Sequence, residues 1–183
     1  MKGPVGVFLS SSDRVAESIK EEAFQFGALL AAQGFPVVYG GANCGSMGAL
    51  ARGVLAKGGH LTGVLPEIDL LNEVEQPGLT KKVLVPKMSD RKEQLIELSE
   101  AFVVFPGGIG TLDEVLEVLC LKSLGAKNCS KPVLFYNFMG FWKPFLESLE
   151  IMVEQGVISS PLDQLYQVFE DPADVIGYLS EHL

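Results

Sequence analysis

The 183-residue sequence contains little cysteine, little histidine and few basic residues, and each shortage excludes a class of protein. Three widely spaced cysteines do not make a disulfide framework, which favours a reducing compartment such as the cytoplasm. The two histidines, His60 and His182, belong to no cluster with zinc-ligand spacing and leave little material for a Ser-His-Asp triad. Lys and Arg number 14 against 23 Asp and Glu, and this net charge of −9 argues against a nucleic acid partner.

Long apolar runs are also missing. No run approaches the length of about 18 residues that a membrane-spanning helix needs, so no membrane association is expected. The segment Val5–Leu9 is predicted to be a first strand rather than part of a signal peptide. Apolar residues still make up 48% of the chain, which is enough for a core, and the length predicts one domain over residues 1–183.

Short apolar runs alternate with helical patterns along the chain. Most runs are apolar throughout, which is typical of parallel strands covered on both faces. Strands are predicted at Val5–Leu9, Pro36–Tyr39, Leu61–Leu65, Lys82–Val85, Ala101–Phe105, Pro132–Tyr136 and Leu165–Val168. The alternation predicts an α/β protein with a doubly wound parallel sheet and helices on both faces. Ligands of such sheets bind at the carboxyl ends of the strands, and the long connection Pro66–Thr80 is a candidate lid or substrate loop.

Glycine, by contrast, is abundant, and many of the 20 glycines fall in two clusters directly after predicted strands. The first cluster runs from Gly40 to Gly48 and the second from Pro106 to Thr111. Glycine lets a ligand approach backbone amides, and the helix that follows directs its free N–H groups at an anion. Neither cluster matches a Walker A loop or a dinucleotide fingerprint, and Ser10-Ser11-Ser12 follows the first strand. Tight turns are the alternative explanation, but two clusters in one small sheet favour a phosphate ligand.

Charged residues near these clusters each have two interpretations. Thr111-x-x-Glu114 matches a capping box, whereas the position of Glu114 one turn from a phosphate loop also lets it reach a ribose. Arg91 falls on the apolar face of its predicted helix, which calls for either a structural salt bridge or a functional role. Glu114 is a candidate partner for Arg91, and Lys92 is expected to be exposed to solvent.

Three motifs occur together in this chain: Pro106-Gly107-Gly108-x-Gly110-Thr111-x-x-Glu114, Gly40-Gly41-x-x-x-Gly45-x-Met47-Gly48 and Met88-x-x-Arg91-Lys92. Together they resemble the LOG family of cytokinin riboside 5′-monophosphate phosphoribohydrolases, many relatives of which were labelled possible lysine decarboxylases. The resemblance extends over nearly the whole chain. It implies a Rossmann-like fold, a homodimer, and hydrolysis of the N-glycosidic bond of a nucleoside 5′-monophosphate to free base and ribose 5-phosphate without a metal or redox cofactor.

By motif position, the resemblance implies that Arg91 and Glu114 form the catalytic pair, with the role of Glu114 open between nucleophile, base and electrostatic stabiliser. It also implies a set of substrate-binding residues: Gly41, Gly45, Met88, Lys92, Gly107, Gly108, Gly110 and Thr111. The last four of these would hold the 5′-phosphate, and Met88 would line the base pocket. Ser89 stands where many family members carry histidine, which leaves plain and prenylated adenine as alternative bases.

Two other functions follow from resemblance or label. The decarboxylase label is not supported, because no recognisable lysine site for pyridoxal phosphate is present. The alternative to the enzyme is a non-catalytic carrier protein that binds a nucleotide or the molybdenum cofactor. Molybdenum-cofactor carriers resemble the fold that is predicted here.

Overall fold

The structure, a computed structural model, describes residues 2–67, 74–125 and 130–183. These residues contain a seven-stranded sheet with the order β4-β3-β2-β1-β5-β6-β7, and every neighbouring pair is parallel. The strands are β1 (Val5–Phe8), β2 (Val37–Tyr39), β3 (Leu61–Pro66), β4 (Lys81–Val85), β5 (Ala101–Val104), β6 (Val133–Tyr136) and β7 (Gln167–Phe169).

Helices connect the strands. They are α1 (Glu17–Ala32), α2 (Gly45–Ala56), α3 (Met88–Leu98), α4 (Ile109–Ser123), α5 (Lys143–Glu154), α6 (Leu162–Leu165) and α7 (Pro172–His182), with a 3-10 turn at Phe138–Gly140. Asp171 caps α7, because its carboxylate accepts a hydrogen bond of 2.7 Å from the amide of Ala173. None of the described helices has the length and apolar character needed to cross a bilayer.

Both faces of the central strands β1, β2, β5 and β6 are buried under helices. Along β5, Ala101 and Val103 pack on the side of α1, α2 and α7, whereas Phe102 and Val104 pack on the side of α3, α4, α5 and α6. Burial on both faces explains why these strands have continuous apolar sequences. The predicted doubly wound α/β fold is therefore confirmed.

The last strand begins later than the sequence predicts. Leu165 was expected to open it, but Leu165 ends the short helix α6, and β7 starts at Gln167. Leu165 and Tyr166 are both buried in the cluster that also contains Phe135. An apolar pair that turns into the core has the same sequence signature as a short buried strand, and periodicity does not separate the two.

The sheet order creates a switch point at β1 and β5. From β1 the chain moves outwards through β2, β3 and β4, and it then returns to place β5 on the other side of β1. The connections that leave β1 and β5 therefore diverge, and a crevice opens between the carboxyl ends of these two strands. Ser10–Ser12 follows β1 at this edge, and Pro106–Gly108 follows β5.

Glycines allow α1 and α2 to pack closely. A β-carbon at Gly53 would overlap the carbonyl oxygen of Phe24, and one at Gly27 would overlap that of Leu50.

We expect Gly53→Ala to lower the free energy of unfolding by about 1–3 kcal/mol because it overpacks this contact. In contrast, Gly177→Ala in α7, where a β-carbon meets nothing within 4 Å, is expected to raise stability by roughly 1 kcal/mol. Urea titrations of both variants test this, and equal effects would contradict the proposed close packing.

Candidate active site

A cleft of about 390 Å³ lies at the switch point. This volume falls within the range of small-molecule sites. The cleft is lined by residues from the ends of β1 and its loop, from the first turn of α2, and from α3 and α4. It brings together most of the candidate residues from the sequence: Met88, Arg91, Lys92, Gly108, Gly110, Thr111 and Glu114.

Arg91, near the start of α3, is only 6% exposed and is held by hydrogen bonds. Its Nε donates to the carbonyl oxygen of Val64 at 3.1 Å, and its Nη2 donates to that of Gly40 at 3.1 Å. Its Nη1 lies 3.5 Å from Oε1 of Glu114. A β-carbon at Gly40 would overlap Nη2, so glycine at this position makes room for the guanidinium.

Glu114 contacts Arg91, and Thr111 is not the N-cap residue of its helix, so the capping-box interpretation is wrong. Helix α4 begins at Ile109 with Gly108 as its N-cap residue, which places Thr111 inside the first turn. The structure shows no side-chain capping bond there. The extended backbone of Gly108 lets the helix start directly after the strand, before the polar residue that the motif would use as a cap. Glu114 lines the cleft, where its side chain is 7% exposed.

The first turn of α4 has the properties of an anion site. First-turn amides have no partner within the helix, and the helix dipole favours negative charge at this end. At Gly108 and Gly110 a β-carbon would meet nothing within 4 Å, so the backbone is open to the cleft. Oγ1 of Thr111 is buried and forms no hydrogen bond with the described residues. A buried donor of this kind is costly unless a ligand or water satisfies it.

The first glycine cluster has a different role. Among the described residues, Gly41 and Gly45 do not line the cleft, and neither does Gly107. Gly41 and Gly45 have φ angles of 84° and 56°, which favour glycine. Gly45, at the start of α2, donates its amide to Oδ1 of Asp13 at 2.9 Å. The N-terminus of α2 is thus bonded by the protein's own carboxylate, and the cluster positions Arg91 and the loop after β1. Gly107 allows close packing of Thr111, since a β-carbon there would overlap Oγ1.

Sequence reasoning missed the loop after β1. Ser10, Ser11 and Ser12 line the cleft, together with Met47. The hydroxyl of Ser46 donates to the carbonyl oxygen of Ser10 at 3.0 Å and accepts from its amide at 3.1 Å, which fixes the loop to α2. Three hydroxyl residues after the central strand were the available signal, but their sequence alone indicates only that a dinucleotide fingerprint is absent there.

Lys92 is not the exposed lysine that was expected. Its side chain is 22% exposed, and its Nζ lies 3.0 Å from Oδ1 of Asp113 and 2.6 Å from Oε2 of Glu117. The hydrogen bond with Glu117 raises the pKa of Lys92, with a further contribution from Asp113 and against the lowering effect of burial.

The predicted loop Pro66–Thr80 is described only in part, because its residues 68–73 lie outside the described part of the chain. Beyond them, the amide of Asn43 donates to the carbonyl oxygen of Val74 at 2.8 Å, and the amide of Gln76 donates to that of Gly41 at 3.0 Å.

Within the described ranges, no group of His, Cys, Asp and Glu side chains has an arrangement suited to a metal ion.

Comparison with known proteins identifies the family. The family model described as "Possible lysine decarboxylase" matches residues 47–179. The probable cytokinin riboside 5′-monophosphate phosphoribohydrolase LOGL2 of Oryza sativa subsp. japonica is 32% identical over 178 residues, covering 97% of this chain and 72% of that protein. The cytokinin riboside 5′-monophosphate phosphoribohydrolase LOG1 of Arabidopsis thaliana is 35% identical, covering 84% and 71% of the two chains. The chain belongs to the LOG family. Its named relatives are phosphoribohydrolases, which are enzymes of the glycosidase type.

Among solved structures, the LOG-family chain has the fold of a molybdenum cofactor carrier protein. The carrier of Chlamydomonas reinhardtii matches with a TM-score of 0.73 and 24% identity over 99% of this chain and 98% of the carrier. At this identity the match establishes the fold alone.

The decarboxylase description of the family model does not fit the cleft. A lysine that forms a Schiff base with pyridoxal phosphate needs an amine that loses its proton readily. Among the described residues that line the cleft the lysine is Lys92, whose pKa is raised by its two carboxylate partners. The cleft chemistry therefore does not match this cofactor.

The buried hydroxyl of Thr111 leads to a test of the anion site. We expect Thr111→Val to keep or raise the melting temperature, because it removes a buried donor without a partner, and to reduce the stabilisation that inorganic phosphate gives. Thr80→Val is the control, since Oγ1 of Thr80 accepts from the amide of Leu61 at 3.0 Å outside the cleft. This control should lower the melting temperature and leave the phosphate response intact. An unchanged phosphate response in Thr111→Val would contradict the assignment.

Proposed function

We propose that this protein hydrolyses the N-glycosidic bond of a nucleoside 5′-monophosphate to give the free base and ribose 5-phosphate. The observation that carries the proposal is the position of the buried Arg91–Glu114 pair, which faces the same cleft as the uncapped N-terminus of α4. A carboxylate and an anion site one helical turn apart, about 5 Å, suit a ribose with a phosphate at its 5′ end.

In this proposal the phosphate binds at the start of α4. The amides around Gly108 and Gly110 and the hydroxyl of Thr111 donate to its oxygens, and Gly107 shapes the turn that presents them. Binding the phosphate there holds the ribose against Glu114, three residues further along the helix. Binding energy remote from the reacting bond then contributes to orientation of the reacting centre.

The chemical step breaks the bond between C1′ and the base nitrogen and forms a bond between C1′ and water. Positive charge develops on the ribose, and the carboxylate of Glu114 stabilises this charge or orients the water. The departing base takes the bonding electron pair and gains the proton that the water loses. Arg91 orients the carboxylate through their contact, and its charge favours the electron-rich base.

The base is proposed to bind on the side of the cleft formed by Met88 and Met47. Thioether side chains adapt to flat apolar ligands, which suits adenine and an N6-prenyl adenine alike. The hydroxyl of Ser89, which replaces the family's usual histidine, donates to Oδ1 of Asp90 at 3.1 Å and does not line the cleft.

The proposed assembly is a homodimer. Exposed apolar side chains, among them Leu116 on α4, Leu124 directly after α4 and Ile151 on α5, are candidates for a surface that a second copy can cover. We expect light scattering to give a mass of about twice the 19.7 kDa of one chain. A monomeric mass at micromolar concentration would contradict this assembly.

A non-catalytic molybdenum-cofactor carrier is the second candidate, favoured by the shared fold. A carrier has no need of a carboxylate held beside a buried arginine in its binding cleft, whereas a glycosidase does. Thermal-shift measurements with nucleoside monophosphates and with a pterin distinguish the two, because a ligand of the native state raises the melting temperature.

We expect the protein to release free base from AMP or from isopentenyladenosine monophosphate, as measured by chromatography. Glu114→Gln and Arg91→Ala should reduce this rate by about 10²-fold or more, because each removes charge from the reacting centre. Glu93→Gln and Arg52→Ala are matched controls on exposed residues outside the cleft and should retain the activity. Breaking a buried pair costs about 3–5 kcal/mol, so melting curves must establish that each variant is folded. Absence of base release by the wild-type protein, with stabilisation by the pterin alone, would establish the carrier instead.

A further inference from the structure

Lys92 connects α3 to α4 by two ion pairs. Its Nζ is 3.0 Å from Oδ1 of Asp113 and 2.6 Å from Oε2 of Glu117. Asp113 and Glu117 are four residues apart and therefore share one face of α4. The bridge lies directly beside the site, because Lys92 follows Arg91 in sequence and Asp113 precedes Glu114.

The Arg91–Glu114 contact alone does not fix the distance between these helices. Its N···O separation is 3.5 Å, longer than either contact of Lys92 and longer than a normal charge-assisted hydrogen bond. Arg91 is held to the sheet by the carbonyl oxygens of Gly40 and Val64, and neither belongs to α4. The position of Glu114 relative to the guanidinium therefore depends on how α4 is held against α3.

We propose that Lys92 is a positioning residue, which clamps α4 to α3 through Asp113 and Glu117 and so keeps Glu114 and the first turn of α4 in place for the same substrate. This inference rests on the proposed function, since the reaction needs both parts of α4. It differs from a direct contact of Lys92 with the substrate phosphate or base, which the motif resemblance alone would imply.

The electrostatics of the clamp support this role. The two carboxylates occupy two of the three ammonium donors of Lys92, and the raised pKa of Lys92 keeps it charged at neutral and moderately alkaline pH. These two contacts tie Lys92 to α4, which is what a clamp requires.

The test compares Lys92→Met with the double variant Asp113→Asn/Glu117→Gln, which removes the partners and keeps the lysine. If Lys92 acts through these partners, both variants should lower kcat by about tenfold through misplacement of Glu114, with KM changed by less than about threefold. Combining all three substitutions should give no further loss, because each removes the same interaction.

Lys92→Arg should retain activity within about threefold, since a guanidinium can bond both carboxylates. Lys143→Met, which breaks an exposed pair with Glu147, is the control and should leave kcat unchanged.

A second readout does not depend on activity. Hydrogen exchange of the peptide that covers residues 109–115 should accelerate several-fold in Lys92→Met and in the double variant alike, because α4 loses its tether in both. Thus, if the wild-type protein releases no base, the proposed function fails while the clamp is still tested. The clamp is overturned by a double variant with wild-type kcat and exchange, or by a Lys92→Met variant that raises KM alone. Either result would indicate that Lys92 contacts the ligand or has no role in the site.

Discussion

The buried guanidinium of Arg91 joins parts of the protein that are far apart in sequence. It donates to carbonyl oxygens at Gly40, after β2, and at Val64, within β3, and it faces Glu114 on α4. A cation with 7% of its side chain exposed is stable only where its donors find acceptors. The strand ends and both helices must keep their relative positions for this charge to stay paired. The interaction that makes the buried arginine tolerable is therefore also the one that fixes the geometry of the cleft.

The two glycine clusters serve this arrangement in different ways. At the first cluster, glycine makes space for Arg91 and for the loop after β1, and Asp13 occupies the amide at the start of α2. At the second cluster, no side chain caps α4, and the backbone at Gly108 and Gly110 is open. A helix N-terminus that already bonds a carboxylate has less to offer an anion, whereas an uncapped one next to a buried hydroxyl attracts it. The capping pattern, more than the number of glycines, determines which of the two loops is suited to phosphate.

The sequence was sufficient for the sheet and for most of the cleft because these follow from local patterns. Continuous apolar runs predict buried parallel strands, and their carboxyl ends predict where Arg91, Thr111 and Glu114 converge. The errors arose where a local pattern has two structural solutions. Thr111-x-x-Glu114 is compatible with a cap, and the longer helix that excludes it depends on the backbone of Gly108. Lys92 reads as exposed because its partners, Asp113 and Glu117, come from another helix, and only tertiary packing brings them within 3.0 Å.

The balance of charge around the cleft bears on how an acidic protein would bind an anionic substrate. Among the described residues that line the cleft, Arg91 and Lys92 supply two positive charges and Asp113 and Glu114 supply two negative ones, so 2 − 2 leaves no net charge. Side-chain charge therefore gives a phosphate no net attraction, and the amides and dipole of α4 have to supply it. The carboxylate of Glu114 is instead suited to the positive charge that develops on a ribose when its glycosidic bond breaks. In the proposed reaction, backbone dipoles would act on the phosphate and carboxylate charge on the ribose, at opposite ends of one substrate, whereas a cleft rich in cations would serve only the phosphate.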